Sequence, residues 1–389
     1  MTVLVTAGDS IKALVVTRSL GQKGIKVYTA EEYSPYLSSF SRYSKKSFKY
    51  PSPRRNPGSF ISWLINILKK EDIRTVIPTH SRDTYVISMY KKEIEEETAV
   101  PIPVPEYSAL KLANDKGTLI KFAKKLGIPV PKTYHIKSLE ELKDIADSIM
   151  YPAVIKVRES SSSLGVEYAY SPQELTQTYN KIVRAYKLPP EKYPIIQEYI
   201  QGGGYGVSLL FNNGKLKAKF THKRIREYPI TGGPSTCRTS IRFPRMERYA
   251  IKLLKHLKWH GVAMVEFKVE SITGTPFLLE VNPRFWGSLY QAIESGVDFP
   301  YLLYKMAVEG DVDSTFSYKT GVITRNYFID LVAIINYIRR KKSKNIINDM
   351  FKWYPDDILK LSDPLPTLGF IYSAAKQISH NQTNQRGSI

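Results

Sequence analysis

A single cysteine, Cys237, leaves the chain unable to close an internal disulfide, and alone it cannot make a zinc site. No stretch reaches the roughly eighteen unbroken apolar residues that a membrane-spanning helix requires. The opening "MTVLVTAGDS" has no basic region ahead of its apolar run. It reads as a buried strand rather than a secretion signal, and the cytoplasm is the expected location. Acids are scarce, with 57 Lys and Arg against 36 Asp and Glu and a formal net charge of +21. None occurs between Glu32 and Glu71, a span that holds Arg42, Lys45, Lys46, Lys49, Arg54, Arg55, Lys69 and Lys70. Such a surface attracts phosphates, carboxylates, nucleic acid or anionic lipid. No nucleic-acid fold signature accompanies it, and solvated basic faces account for it equally well. The turn Gly8–Asp9–Ser10 lacks the second and third glycines of a dinucleotide fingerprint, which argues against a dehydrogenase.

What is present divides the 389 residues into more than one core. "VLVTAG", a helical stretch from Ser10 to Gly21, "IKVYTAE" and "IRTVIPTH" alternate as strand and helix, which predicts an open parallel α/β sheet over residues 1–104. "AVPIPVPEY" reads as a linker. Beyond it, "LANDKGTLIKFAKKLG" predicts one helix closed by Gly127, and "YPAVIKV" a strand followed by the polar loop "RESSSSLGV". "PIIQEYIQGGGYGVSLLFNNGKLKAKF" predicts a strand, a glycine-rich turn and a hairpin through Asn213–Gly214. Expected units are 1–104, 105–193, 194–310 and a helical extension, 311–389, with a polar, disordered tail.

The most informative stretch is "LLEVNPRFWGS", residues 278–288. Strand alternation puts Glu280 and Asn282 on one face of an otherwise apolar run. Upstream, "GVAMVEFKVESITGTPF" turns at Thr273–Gly274–Thr275, midway between Glu266 and Glu280, so the two acids fall opposite each other. Carboxylates that close repel unless a cation lies between them. With Asn282 they form a hard oxygen set suited to Mg²⁺, which also takes phosphate oxygens and water. Lys156 interrupts a buried strand beside the Ser/Gly loop, and Lys116 opens a helix; both are candidates for phosphate contacts.

In order along the chain stand Asn114–Asp115–Lys116, Lys156 with its loop, "QEYI" (197–200), Glu266 and "EVNPR" (280–284). This order resembles the ATP-grasp superfamily, and more narrowly its predicted carboxylate–amine ligase, or carboligase, branch with carbamoyl-phosphate-synthase-like proteins. "SDPLP" (362–366) is similar to that branch's C-terminal extension. The resemblance implies a pre-ATP-grasp α/β domain, a two-lobed ATP-grasp fold and ATP with Mg²⁺, or Mn²⁺, as cofactors. It implies that Lys116, Lys156, Ser162, Ser163 and Gly165 contact phosphates, and that Gln197, Glu198, Tyr199 and Ile200 form the adenine hinge. Glu266, Glu280 and Asn282 would hold the metal, and Arg284 would face the transferred phosphoryl group. Two departures stand out: the loop has only one glycine, and "QGGGYGVS" has no acid for the ribose hydroxyls.

The implied reaction is ADP-forming. A carboxylate becomes an acyl-phosphate, and an amine displaces phosphate. Lys223 and Arg224 join Arg284 as candidate catalytic residues. Arg226, Gly233, Ser235, Arg238, Trp286, Gly287 and Ser288 are candidates for contacting anionic carboxylate and amine substrates. The alternatives are a carboxylase or carbamoyl-phosphate-type enzyme using bicarbonate, and a non-enzymatic protein binding nucleic acid or anionic membrane through its basic segments. Nucleic acid is the less expected partner; peripheral membrane contact and homo-oligomerisation stay open.

Overall fold

A computed structural model describes residues 1–159, 165–230, 232–339, 349 and 352–374. The N-terminal unit builds a parallel sheet from β1 (Thr2–Thr6), β2 (Lys26–Glu31), β3 (Ser44–Lys49) and β4 (Ile73–Pro78), in the order β3-β2-β1-β4. Helices α1 (Ile11–Gln22), α2 (Pro57–Lys70), α3 (Ser81–Met89) and α4 (Lys91–Thr98) accompany it. Ser10 caps α1 by accepting from the Ala13 amide, and Pro57 opens α2 where its missing N–H costs nothing. The chain moves outward from β1 through β2 to β3, then returns to place β4 on the far side of β1. The strand order therefore reverses between β1 and β4, which stay parallel. Edge strand β3 carries exposed Lys45, Lys46 and Lys49, a common guard against edge-to-edge pairing. That accounts for part of the acid-free run.

Two antiparallel sheets follow. The smaller orders β5 (Thr133–His135), β8 (Ile195–Glu198), β6 (Ala153–Lys156) and β7 (Val166–Ala169) as β5-β8-β6-β7, with α7 (Leu139–Ala146) and α8 (Pro172–Ala185) on it. The larger orders β13 (Pro276–Asn282), β12 (Gly261–Glu270), β9 (Gly202–Asn212), β10 (Lys215–Glu227), β11 (Ser235–Ser240) and β14 (Ile323–Arg325). Its helices are α5 (Tyr107–Asn114), α6 (Lys116–Lys125), α9 (Pro244–His256), α10 (Leu289–Glu294), α11 (Phe299–Glu309) and α12 (Tyr327–Arg339).

Three local expectations change. The single helix closed by Gly127 is two, because Asp115 breaks it and caps α6 by accepting from the Gly117 and Thr118 amides. The glycine-rich stretch is not a turn but the start of β9, paired with β12 from Gly202↔Glu270 to Gly206↔Glu266. The C-terminal extension is not purely helical, since β14 pairs with β11.

One apolar core joins the units. Val3, Val5, Ala13 and Val16 of the N-terminal unit pack in the same cluster as Phe285, Trp286, Leu289 and Phe299. Each Val, Leu or Phe among them contributes about 1.5–3 kcal/mol when fully buried, so the N-terminal unit is held firmly against the larger sheet. The C-terminal segment ties the same two bodies together. Arg18 on α1 donates from Nε to Asp363 Oδ2 at 2.8 Å and the Arg42 amide to Asp363 Oδ1 at 2.9 Å, while Arg238 of β11 in the larger sheet donates to Asp357. No helix among the described residues is long and apolar enough to cross a membrane.

Candidate active site

Sheet register sets the centre of the site. Glu266 and Glu280 are direct cross-strand partners, so both project from one face together with Asn282. Asn282 Nδ2 donates to Glu266 Oε1 at 3.0 Å and to Glu280 Oε1 at 3.2 Å. Its Oδ1 accepts from Arg284 Nη2 at 2.7 Å. Arg224 Nη2 donates to Glu266 Oε2, and Lys116 Nζ lies 3.3 Å from Glu280 Oε2. The two acids respond in opposite senses. Burial pushes the Glu266 carboxyl above the usual range, and the Arg224 charge offsets this only in part. At Glu280 burial is outweighed by Lys116 and Lys156, which hold its carboxyl low.

Arg224 stands on β10 and Glu266 on β12, with β9 between them. A side chain can cross an intervening strand only where that strand has none of its own. A Cβ on Gly204 would come within 2.8 Å of Arg224 Cδ, and one on Gly206 within 2.4 Å of His222 Cε1. The glycines that seemed to mark a turn instead clear the path for side chains of β10, Gly204 for Arg224 and Gly206 for His222. Gly204→Val is expected to destabilise the fold by about 1–3 kcal/mol through overpacking against Arg224 and to weaken nucleotide binding. Gly58→Ala, where an added Cβ meets nothing within 4 Å, serves as the control. Thermal unfolding and calorimetry with MgADP check both.

These groups open on a cavity of about 260 Å³ between the two antiparallel sheets and the N-terminal unit. It gathers six cationic side chains, from Lys12, Lys116, Lys156, Lys268, Arg224 and Arg284, against four carboxylates. The excess suits a polyanion. Lys116 is 4% exposed, and burial lowers the Lys156 ammonium to about 8 despite the pull of Glu280. Gln197, Glu198, Tyr199 and Ile200 line the same cavity, with Val154, Val166 and Leu279 as apolar walls. Gln197 Nε2 donates to Thr133 Oγ1 at 2.9 Å, and its buried Oε1 has no partner among the described residues. That leaves an acceptor for a ligand N–H. The Glu198 carboxylate is already committed, accepting from the Lys132 amide at 2.7 Å.

Gly233, Ser235, Trp286, Gly287 and Ser288 also line the cavity. Trp286 does so while fully buried in the core shared with the N-terminal unit. His222 is also buried there, with Nε2 3.2 Å from Ser288 Oγ. Burial first, then Arg224 and Arg238, lowers its imidazole to about 3 and keeps it neutral.

Four sequence candidates fall away from the cavity. Lys223 is exposed, its ammonium over the Tyr205 ring, because adjacent strand residues face opposite sides and Arg224 takes the inner one. Strand alternation would return Arg226 to the inner face, but a bulge between Arg224 and Arg226 turns it outward. It binds Asp330 and Asp349 there. Arg238 pairs with Asp357 of the C-terminal segment. Gly165 closes the β6–β7 hairpin, its carbonyl accepting from the Val157 amide at 2.8 Å. Ser162 and Ser163 lie outside the described residues.

Sequence reasoning missed Lys12, Lys268 and Tyr168 as lining residues. Lys268 shares the period-two face of Glu266, a signal that was legible. Lys12 looks like any lysine near the start of a helix, and only the docking of α1 against the larger sheet brings it inside.

Residues 113–288 match the family profile described as an ATP-grasp domain. The carbamoyl phosphate synthase large chain of Pyrococcus furiosus is 24% identical over 264 residues, covering 64% of this chain and 24% of that one. The chain thus spans about a quarter of that relative's length. Among solved structures, one is the biotin carboxylase domain of Hydrogenobacter thermophilus 2-oxoglutarate carboxylase, in complex with MgADP, ADP and bicarbonate. It aligns with a TM-score of 0.67 at 16% identity, covering 82% of this chain and 73% of that one. The L-amino acid ligase of Bacillus licheniformis aligns with a TM-score of 0.63 at 13% identity, covering 79% and 74%. The facing carboxylates, the cation-rich cavity and these similarities agree: the chain carries an ATP-grasp domain over residues 113–288, homologous to that of carbamoyl phosphate synthase large chains.

Proposed function

We propose that the protein is an ATP- and Mg²⁺-dependent, ADP-forming ligase that activates a carboxylate as its acyl-phosphate and couples it to an amine. The observation that carries this reading is the pair of facing carboxylates, Glu266 and Glu280, in a cavity otherwise dominated by cations. The donor set fits a divalent ion. Asn282 Nδ2, the positive end of an amide, lies within hydrogen-bond distance of both carboxylates, at the place a cation would neutralise them. Glu266, Glu280 and Asn282 would hold Mg²⁺ (or Mn²⁺), which supplies neutralisation of phosphate charge. Lys116 and Lys156 bind phosphate oxygens, and the 197–200 segment receives the base beside the apolar wall. Arg284 faces the phosphoryl group in transfer and stabilises the charge that grows there. The substrate carboxylate attacks the terminal phosphorus and ADP leaves. The amine then forms the C–N bond as the acyl C–O bond breaks and phosphate departs. Gly233, Ser235, Trp286, Gly287 and Ser288 would enclose the reacting end and exclude water. In this reading residues 1–104 form the pre-ATP-grasp unit, 105–193 the small lobe, 194–310 the large lobe and 311–389 the C-terminal extension.

A second reading uses bicarbonate as the carboxylate. It is favoured by the carbamoyl phosphate synthase relative and by the bicarbonate named in the neighbouring carboxylase structure. One panel separates the two: phosphate release from MgATP with bicarbonate, monocarboxylates, dicarboxylates and amino acids, each with and without an amine. Turnover that requires both an organic acid and an amine is expected. Stimulation by bicarbonate alone supports the second reading, and no stimulation by any acid contradicts both.

A further inference from the structure

In open α/β sheets ligands bind outside the carboxyl ends of the strands, where the strand order reverses. The N-terminal sheet reverses between β1 and β4, and the segments leaving those two strands carry Lys12 and His80–Ser81. Lys12, the second residue of α1, lines the large cavity. It makes no hydrogen bond or ion pair among the described residues. Its ammonium is held well below the usual lysine range, first by burial and then by Arg284, with Arg82 adding to this and Asp83 opposing it. Asp83 is already occupied, accepting from Arg82 Nε and from Tyr50 Oη, both at 2.8 Å. His80 supplies no counter-charge, and burial together with Lys12, Arg284 and Arg82 keeps its imidazole neutral, so it adds no further positive charge. Arg284 is drawn to the same place, donating from Nε to Ser81 Oγ at 2.9 Å. The crevice at the sheet's reversal thus ends in two basic side chains, one from each unit, with no uncommitted acid beside them among the described residues. Buried charge of one sign calls for a partner of the other.

Arg284 and the metal ligands are matched to the reacting carboxylate and its phosphoryl group, which leaves Lys12 without a counter-ion. We infer that Lys12 binds a second oxyanion of the acid substrate, so that the ligase selects an acid bearing a further carboxylate or phosphate beyond the group it activates. This rests on the ligase reading and adds the substrate class. Recognition of the acid then belongs to the N-terminal unit, and recognition of the nucleotide to the two antiparallel sheets.

The test is competitive acylation of the intact protein by acetic anhydride, read lysine by lysine by mass spectrometry. The probes are acetate, succinate, phosphoglycolate and MgADP. Succinate or phosphoglycolate is expected to slow acylation of Lys12 about tenfold, the equivalent of one charge-assisted hydrogen bond. Acetate should have little effect there, and MgADP should shield Lys116 and Lys156 instead. Protection by phosphoglycolate but not succinate identifies the second group as phosphate, and the reverse pattern identifies carboxylate. Lys12 acylation that no dianion slows, or that acetate slows equally, overturns the inference. Failure of MgADP to shield Lys116 and Lys156 contradicts the nucleotide site and is read separately. Lys12→Met should also lose any rise in melting temperature produced by the dianion while keeping the rise produced by MgADP, and Lys12→Arg should restore the first. Loss of both together would mark Lys12 as merely structural.

Discussion

Glu280→Gln yields a folded protein whose ATP turnover falls by about a thousandfold or more. The substitution keeps the size of the side chain and leaves one acceptor oxygen, enough for Asn282 or Lys116 but not both, and the backbone pairing of Glu266 with Glu280 has no reason to change. What it removes is one of two charges that face each other across β12 and β13. A divalent ion contributes several kcal/mol of charge stabilisation in phosphoryl transfer, and about 1.4 kcal/mol corresponds to tenfold in rate. A site that keeps one carboxylate of two loses most of that. Coupled phosphate release and a melting curve on the same preparation check the prediction. Native rates in the variant would remove the metal assignment.

The second large effect is on stability. Arg224→Met should cost about 3–5 kcal/mol, the usual penalty for leaving a buried charge without its partner. Arg224 and Glu266 have side chains 13% and 16% exposed, so solvent compensates little. Most of the cost comes from stranding Glu266, not from the loss of a favourable bond, and this makes the effect conditional. Mg²⁺ with ADP brings positive charge to the same carboxylate. The rise in melting temperature on adding MgADP should therefore be larger in Arg224→Met than in the native protein. An equal or smaller rise would place the metal away from Glu266.

The facing carboxylates were legible because they depend on short-range geometry. A period of two and a turn midway between Glu266 and Glu280 are enough to set two acids face to face. The candidate arginines were not legible, because strand alternation says which side a residue faces only until a bulge intervenes. The bulge after Arg224 is a product of pairing with β11. The partners that consume Arg226 and Arg238 are Asp330, Asp349 and Asp357, all contributed by the C-terminal segment. Three arginines in one basic stretch carried identical local information, yet only Arg224 reaches the cavity. The glycines of β9 show the converse: they read as a turn, and their use is to let another strand's side chains pass over them. At Lys12 only the docking of α1 against the larger sheet places the side chain.

The central claim is that Glu266, Glu280 and Asn282 grip a divalent ion that also holds the nucleotide's phosphates. Electron paramagnetic resonance of Mn²⁺, titrated into the protein with and without ADP, tests this most directly. The native protein should remove Mn²⁺ from the free pool in an ADP-dependent way, and Glu280→Gln should not. Equal Mn²⁺ binding by the two proteins in the presence of ADP would contradict the account.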